Sequence, residues 1–141
     1  AANPGQPLKP LGKVASGGEL SRVSLAIQVI CARNLTVPSL VFDEVDVGVG
    51  GGVAEIVGRL LRELGQHAQV LCITHQPQVA SQGHQHWQVH KIQGDDTTHT
   101  RIQGLDETAR VEELARMLGG VEITESTRNH AKEMLSKAQA A

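Results

Sequence analysis

Apolar positions change their spacing along this chain, and each spacing predicts an element. Residues 1–13 hold three prolines and two glycines and are expected to be extended or looped. Ser16 and Glu19 then stand in the S-x-x-E relation of a capping box, opening a helix. Its body, Leu20 to Leu35, is apolar on most sides and is expected to be largely buried before Pro38 ends it. Ser39-Leu40-Val41-Phe42 is a short apolar run that breaks into Asp43, Glu44 and Asp46, the pattern of a buried strand ending at a polar edge. Past a glycine-rich loop, Val53, Ile56, Val57, Leu60, Leu61 and Leu64 recur at helical spacing as far as Gly65. Gln69 to Ile73 reads as a second buried strand running straight into Thr74-His75-Gln76-Pro77. Strand, helix, strand predicts a right-handed crossover between two parallel strands.

The stretches His84 to Ile92 and Thr97 to Leu105 flank Gly94-Asp95-Asp96 and predict a hairpin. Two helices follow. Val111, Leu114, Ala115 and Leu118 share one face; Ala131, Met134, Leu135 and Ala138 share another, after Thr124 as N-cap. Met117 and Met134 are expected to pack on helix faces, and Trp87 and Val89 to lie in the core. Residues 1–141 are therefore expected to form a single α/β domain: a parallel βαβ core, a hairpin and C-terminal helices.

Composition adds bounds. Apolar residues make up 40% of 141, but Trp87 and Phe42 are the only aromatics, so the core is expected to be Leu, Val, Ile and Ala. The 20% charged residues and net charge of -2 argue against wholesale disorder and a polyanion-binding tail. Cys31 and Cys72 lie inside apolar runs and are expected to be buried, reduced thiols. No membrane-length apolar stretch and no signal-like opening is present, so a cytoplasmic location without membrane contact is expected.

Ligands of open parallel sheets bind beyond the carboxyl ends of the strands. Asp43-Glu44 and Thr74-His75 both fall at that edge. An acid pair after a buried strand suits magnesium and water chemistry: one carboxylate holds the hydrated cation and the next orients and deprotonates water. Ser16-Gly17-Gly18-Glu19 is the second feature, because unpaired N–H groups at a helix start, bare of side chains at two glycines, can seat a phosphate. His84, His86 and His90, with His99 across the hairpin, read as a solvated strand face rather than a zinc site. Cys72, in mid-strand, is not expected to be a nucleophile.

Taken together these motifs carry a resemblance. Ala15-Ser16-Gly17-Gly18-Glu19-Leu20-Ser21-Arg22 resembles the signature motif of ABC-type ATPases, Leu40-Val41-Phe42-Asp43-Glu44 their Walker B strand, and Ile73-Thr74-His75 their switch histidine. The wider wording, from N-P-G-Q-P-L-K-P-L-G-K-V-A-S-G-G-E-L-S-R through F-D-E-V-D-V-G-V-G-G and T-H-Q-P-Q-V-A to V-E-E-L-A-R-M-L-G-G, is similar to the RecN family. These are bacterial DNA-repair ATPases related to the structural-maintenance-of-chromosomes (SMC) proteins. The resemblance implies the carboxy-terminal lobe of an ABC-type ATPase head. It implies ATP and Mg2+ as cofactors, Asp43 holding magnesium through water, Glu44 as general base and His75 on the terminal phosphate. Ser16, Gly17, Gly18 and Glu19 would serve the ATP held by the opposite head of a homodimer. Arg22 is open between a phosphate contact and a surface ion pair.

No G-x-x-x-x-G-K-[ST] exists in the chain. The resemblance therefore implies an amino-terminal Walker A lobe of the same protein as partner, DNA as a partner of the full protein near the nucleoid, and little ATP binding by this lobe alone. After Asp46 the loop Val47-Gly48-Val49-Gly50-Gly51 has no further acid, which leaves Asp46 as a candidate for stabilising the loop. A transporter nucleotide-binding domain and a non-catalytic interaction lobe are the alternative readings.

Overall fold

A computed structural model describes Ala26, Ile30, Cys31 and residues 37–93, 98–119 and 122–140. Its contacts divide the chain into two compact units, Ala1–Thr74 and His75–Ala141.

In the first unit, β1 (Ser39–Asp43) and β2 (Gln69–Ile73) pair in parallel from Ser39 opposite Gln69 to Asp43 opposite Ile73. The Gln69 amide donates to the Pro38 carbonyl at 2.9 Å, and the Glu44 amide to the Ile73 carbonyl at 2.9 Å, so the ladder is closed at both ends. Helix α1 (Gly51–Leu64) connects the strands and lies against β2. It begins without a side-chain cap: Gly50, in an extended conformation, accepts from the Val53 and Ala54 amides through its own carbonyl. Arg62 sits in the last turn, where positive charge complements the helix dipole.

The elements match the sequence expectation, but several faces do not. The buried stripe of α1 is Ala54, Val57, Gly58, Leu61 and Leu64, whereas Ile56, predicted inward, is exposed. That stripe is centred between Val57 and Leu61, which leaves Ile56 on the far side of the helix. Both strands were expected to be buried. Phe42 is buried and Leu40, Val70 and Cys72 are half-buried, but Val41 (66% exposed), Leu71 and Ile73 on the opposite face are open. Alternate strand residues point to opposite faces, and among the described residues only one face is covered. Ala26, Ile30 and Cys31 are helical as predicted, yet all three are exposed. Ala26 and Ile30 stand four apart on one stripe, and a helix apolar on most sides can leave such a stripe uncovered. The expected burial of Cys31 is thus overturned; both cysteines are free.

The second unit opens with the single turn α2 (Pro77–Ala80), with proline at its first position. β3 (Trp87–Gln93) and β4 (Thr98–Gly104) form the predicted antiparallel hairpin, Trp87 opposite Gly104 and Val89 opposite Ile102. The first strand starts later than expected, so His84 and His86 precede it. The hairpin face is also inverted: Trp87 (59% exposed), Val89 (60%) and Ile102 (60%) are open, while Gln88 and His90 are half-buried. Gln88 faces inward because its amide donates to Glu113 Oε2 at 2.5 Å, and the pleat then sends Trp87 and Val89 outward. Trp87 and Val89 are not core.

Helices α3 (Glu107–Gly119) and α4 (Glu125–Gln139) pack through Val111, Leu114, Ala115, Ala131 and Leu135, with Met117 and Leu118 against that cluster. Asp106 Oδ1 accepts the Ala109 amide at 2.8 Å at the start of α3. Thr124 caps α4 as predicted, forming a reciprocal capping box with Thr127. Gly119 makes room for Thr127, since a Cβ there would stand 3.1 Å from Thr127 Cγ2, tighter than ordinary contact. Arg128 reaches from α4 to Glu112 of α3 at 2.8 Å. No helix among the described residues is long and apolar enough to cross a membrane.

Candidate functional site

The carboxyl ends of β1 and β2 carry the acids. Asp43 is the last residue of β1, opposite Ile73, and its side chain is exposed. Glu44 follows, also exposed, with φ of 47°, the left-handed region; it is the only described non-glycine residue there. That conformation costs a β-carbon-bearing residue about 1–2 kcal/mol. It is held by the hydrogen bond from the Glu44 amide to Ile73 and by the Val47 amide, which returns to the Glu44 carbonyl at 3.2 Å. Backbone strain of this kind concentrates where a side chain must be aimed.

Beneath the acids lies Asp46, fully buried at 0% exposure, whose carboxylate accepts from the Thr74 hydroxyl. Its carbonyl accepts the Val49 amide at 3.2 Å, and Gly48 turns the chain at φ 74°. The loop after β1 is thereby fastened to the residue that follows β2. Cys72 lies near the same carboxylate. Burial first, and the charge of Asp46 second, push its thiol up to about 12. A thiol so protonated is no nucleophile, as the mid-strand position predicted.

The structure therefore brings together Asp43, Glu44, Asp46 and Thr74. His75 follows Thr74 directly, is exposed, and begins the second unit. Ser16, Gly17, Gly18, Glu19 and Arg22 lie outside the described residues. The Asp46–Thr74 hydrogen bond was missed by sequence reasoning. An acid inside an otherwise apolar and glycine loop was its one signal. Among the described residues no three His, Cys, Asp or Glu side chains converge on one metal position. The fit to magnesium is of another kind: Mg2+ keeps several waters and takes one or two carboxylates beside substrate phosphates, and an exposed Asp43 at a strand end offers that.

No family model matches the chain. Curated relatives do. DNA repair protein RecN of Vibrio cholerae is 58% identical over 98% of this chain, RecN of Xylella fastidiosa (strain Temecula1) 57% over 99%, and RecN of Bacillus subtilis 48% over 98%. Over nearly its whole length this chain matches a segment of RecN. It spans about a quarter of the length of those RecN proteins. Solved structures agree on the fold. The SMC head domain from Thermotoga maritima aligns with a TM-score of 0.55 at 30% identity, over 73% of this chain and 37% of that one. A structure from work on ATP-driven dimerization and DNA-stimulated activation of SMC ATPases aligns with a TM-score of 0.64 at 18% identity, over 84% and 70%. The α/β expectation holds: the RecN segment has the fold of SMC ATPase heads.

Proposed function

We propose that both units form the signature and Walker B lobe of a RecN ATPase head. In the complete protein, ATP is held between two heads and hydrolysed in the service of double-strand-break repair and recombination after DNA damage. The observation that carries this reading is the exposed Asp43-Glu44 pair at the end of a parallel strand, with Glu44 fixed in a strained backbone. RecN relatives are named DNA repair proteins, and dimerization driven by ATP is described for an SMC neighbour. The partners in this reading are an amino-terminal Walker A lobe of the same protein, a second head and DNA, with the protein acting in the cytoplasm at the nucleoid. Among the described residues the apolar face of Val41, Leu71 and Ile73 is left open, which fits a neighbouring element, because parallel sheets are ordinarily covered on both faces.

In this reading Asp43 holds Mg2+ through water, and the bound cation neutralises phosphate charge. Glu44 orients the attacking water and takes its proton. His75 donates to the terminal phosphate. Ser16, Gly17 and Gly18, followed by Glu19, meet the nucleotide of the opposite head. Asp46 and Thr74 keep the acidic loop in place while these groups act. The lobe alone, lacking Walker A, binds ATP weakly and does not turn it over.

The test is Glu44→Gln in the full-length protein. ATP binding should persist while turnover falls by about 10²–10⁴-fold, the usual worth of a positioned base. Wild-type hydrolysis by this variant would remove Glu44 from the role.

A further inference from the structure

From His75 the chain runs through Gln76 and α2 into the turn that leads to β3. This segment is short and tightly bonded. The Ala80 amide donates to the Gln76 carbonyl at 3.0 Å and the Ser81 amide to Pro77 at 2.9 Å. Ser81 Oγ donates to the Gln78 carbonyl at 3.2 Å, and Pro77, Val79 and Ser81 are buried. The turn then closes on itself so sharply that a Cβ on Gly83 would stand 2.8 Å from the Gln85 carbonyl oxygen.

What grips that turn comes from far along the sequence. Arg110 of α3, 6% exposed, donates from Nη2 to the Gly83 carbonyl at 2.7 Å and from Nη1 to the His84 carbonyl at 3.3 Å. Carbonyls in a partly buried turn need donors, and a rigid guanidinium fork aims two at once in a fixed plane, where the donors of an ammonium are not pre-aimed. One turn on, Glu113 is 8% exposed and holds both Gln88, at 2.5 Å, and Arg116, at 2.6 and 2.8 Å. His86 stands within reach of both charges. Burial and the Arg110 cation hold its imidazole below the usual range, with Glu113 acting in the opposite sense.

We propose that Arg110 is a positioning residue for His75: by tying the Gly83–His84 turn to α3, it fixes α2 and the histidine at its head against the α3–α4 pair. The helical pair is then the frame on which the phosphate contact is mounted. This inference rests on the role given to His75 above, and its test separates the two.

In the full-length protein, Arg110→Ala should lower kcat for ATP hydrolysis about tenfold with KM little changed, the pattern of a displaced catalytic group rather than lost substrate binding. Arg110→Lys should recover part of the loss. Gly83→Ala, which shifts the same turn without touching the guanidinium, should act in the same direction as Arg110→Ala. Amide hydrogen exchange should rise about tenfold or more in Ala80–Gly83 of Arg110→Ala while α4 stays protected, and the His86 imidazole should titrate higher. If Arg110→Ala fails to fold, Arg110→Lys and Gly83→Ala carry the same readouts. Unchanged kcat in a folded Arg110→Ala, beside a His75→Ala that has lost turnover, overturns the positioning role alone. Should the wild-type protein show no ATP turnover, the ATPase reading fails instead, and unchanged exchange at Ala80–Gly83 of Arg110→Ala then overturns the clamp.

Discussion

The β1–β2 pair and the α3–α4 pair are both built around a few buried residues, but they use them differently. At the end of the strands a carboxylate, Asp46, is fully buried, and a glutamate stands in the left-handed region on the surface. Between the helices the buried residues are Leu114, Ala115, Ala131 and Leu135, and the helix starts carry side-chain caps at Asp106 and Thr124. Although α3 also buries Arg110 and Glu113, each held by hydrogen bonds, the apolar face shared by the helices keeps to the local preferences of its sequence. The strand end breaks two of them, which is what a site aimed at a ligand is expected to do.

The largest effect belongs to the helices. Leu114 is wholly buried between them, so Leu114→Ala should cost about 2–5 kcal/mol, read as a lowered denaturant midpoint. A loss under 1 kcal/mol would show that the pair is loosely packed. Next comes the strand end, where Glu44→Gly should raise stability by about 1 kcal/mol by relieving the left-handed backbone, while turnover in the full protein is lost. If the variant is less stable, the strain argument fails. At the start of α4, Thr124→Ala should cost about 1 kcal/mol, measurable by thermal melts. The smallest effects are protonic. His86 is held below its ordinary value, so as pH falls through about 6.5 the unfolded chain takes up a proton that the fold resists. Stability should decline with acidification there, and less steeply in His86→Gln. Cys72, pushed up to about 12, should react with iodoacetamide far more slowly than exposed Cys31 at pH 8.

Much of this was legible in the chain. The apolar runs at 39–42 and 69–73, the Gly65 stop, the two strand runs either side of residues 94–97 and the Thr124 cap are local signals, and each produced its element; the expected turn at Gly94-Asp95-Asp96 lies outside the described residues. What a pattern of alternation cannot say is which face is covered. Trp87 and Val89 read as core on hydrophobicity, yet Glu113 draws Gln88 inward from a helix 25 residues away, and the pleat decides the rest. Ile56 fell outside the stripe of Ala54, Val57, Gly58 and Leu61, because an apolar spacing that wraps so far round a helix does not say where the covered stripe is centred. The acids of the site were visible as Asp43-Glu44, since their chemistry is written in adjacent residues. The Asp46–Thr74 and Arg110–Gly83 bonds were not, being pairings across 28 and 27 positions that only the folded backbone brings within reach.

Pro38 has no amide hydrogen to add to a ladder, and at the other end Glu44 turns the chain out of the extended conformation. The strand between them accordingly has one permitted length. A single extra residue inserted within 39–43 would invert every following side chain, carrying Phe42 into water and swinging the carboxylates to the opposite side. Point substitutions can accumulate in this stretch over a family's history, but insertions and deletions should be purged from it, and a register of five residues should be as invariant as the acids it delivers.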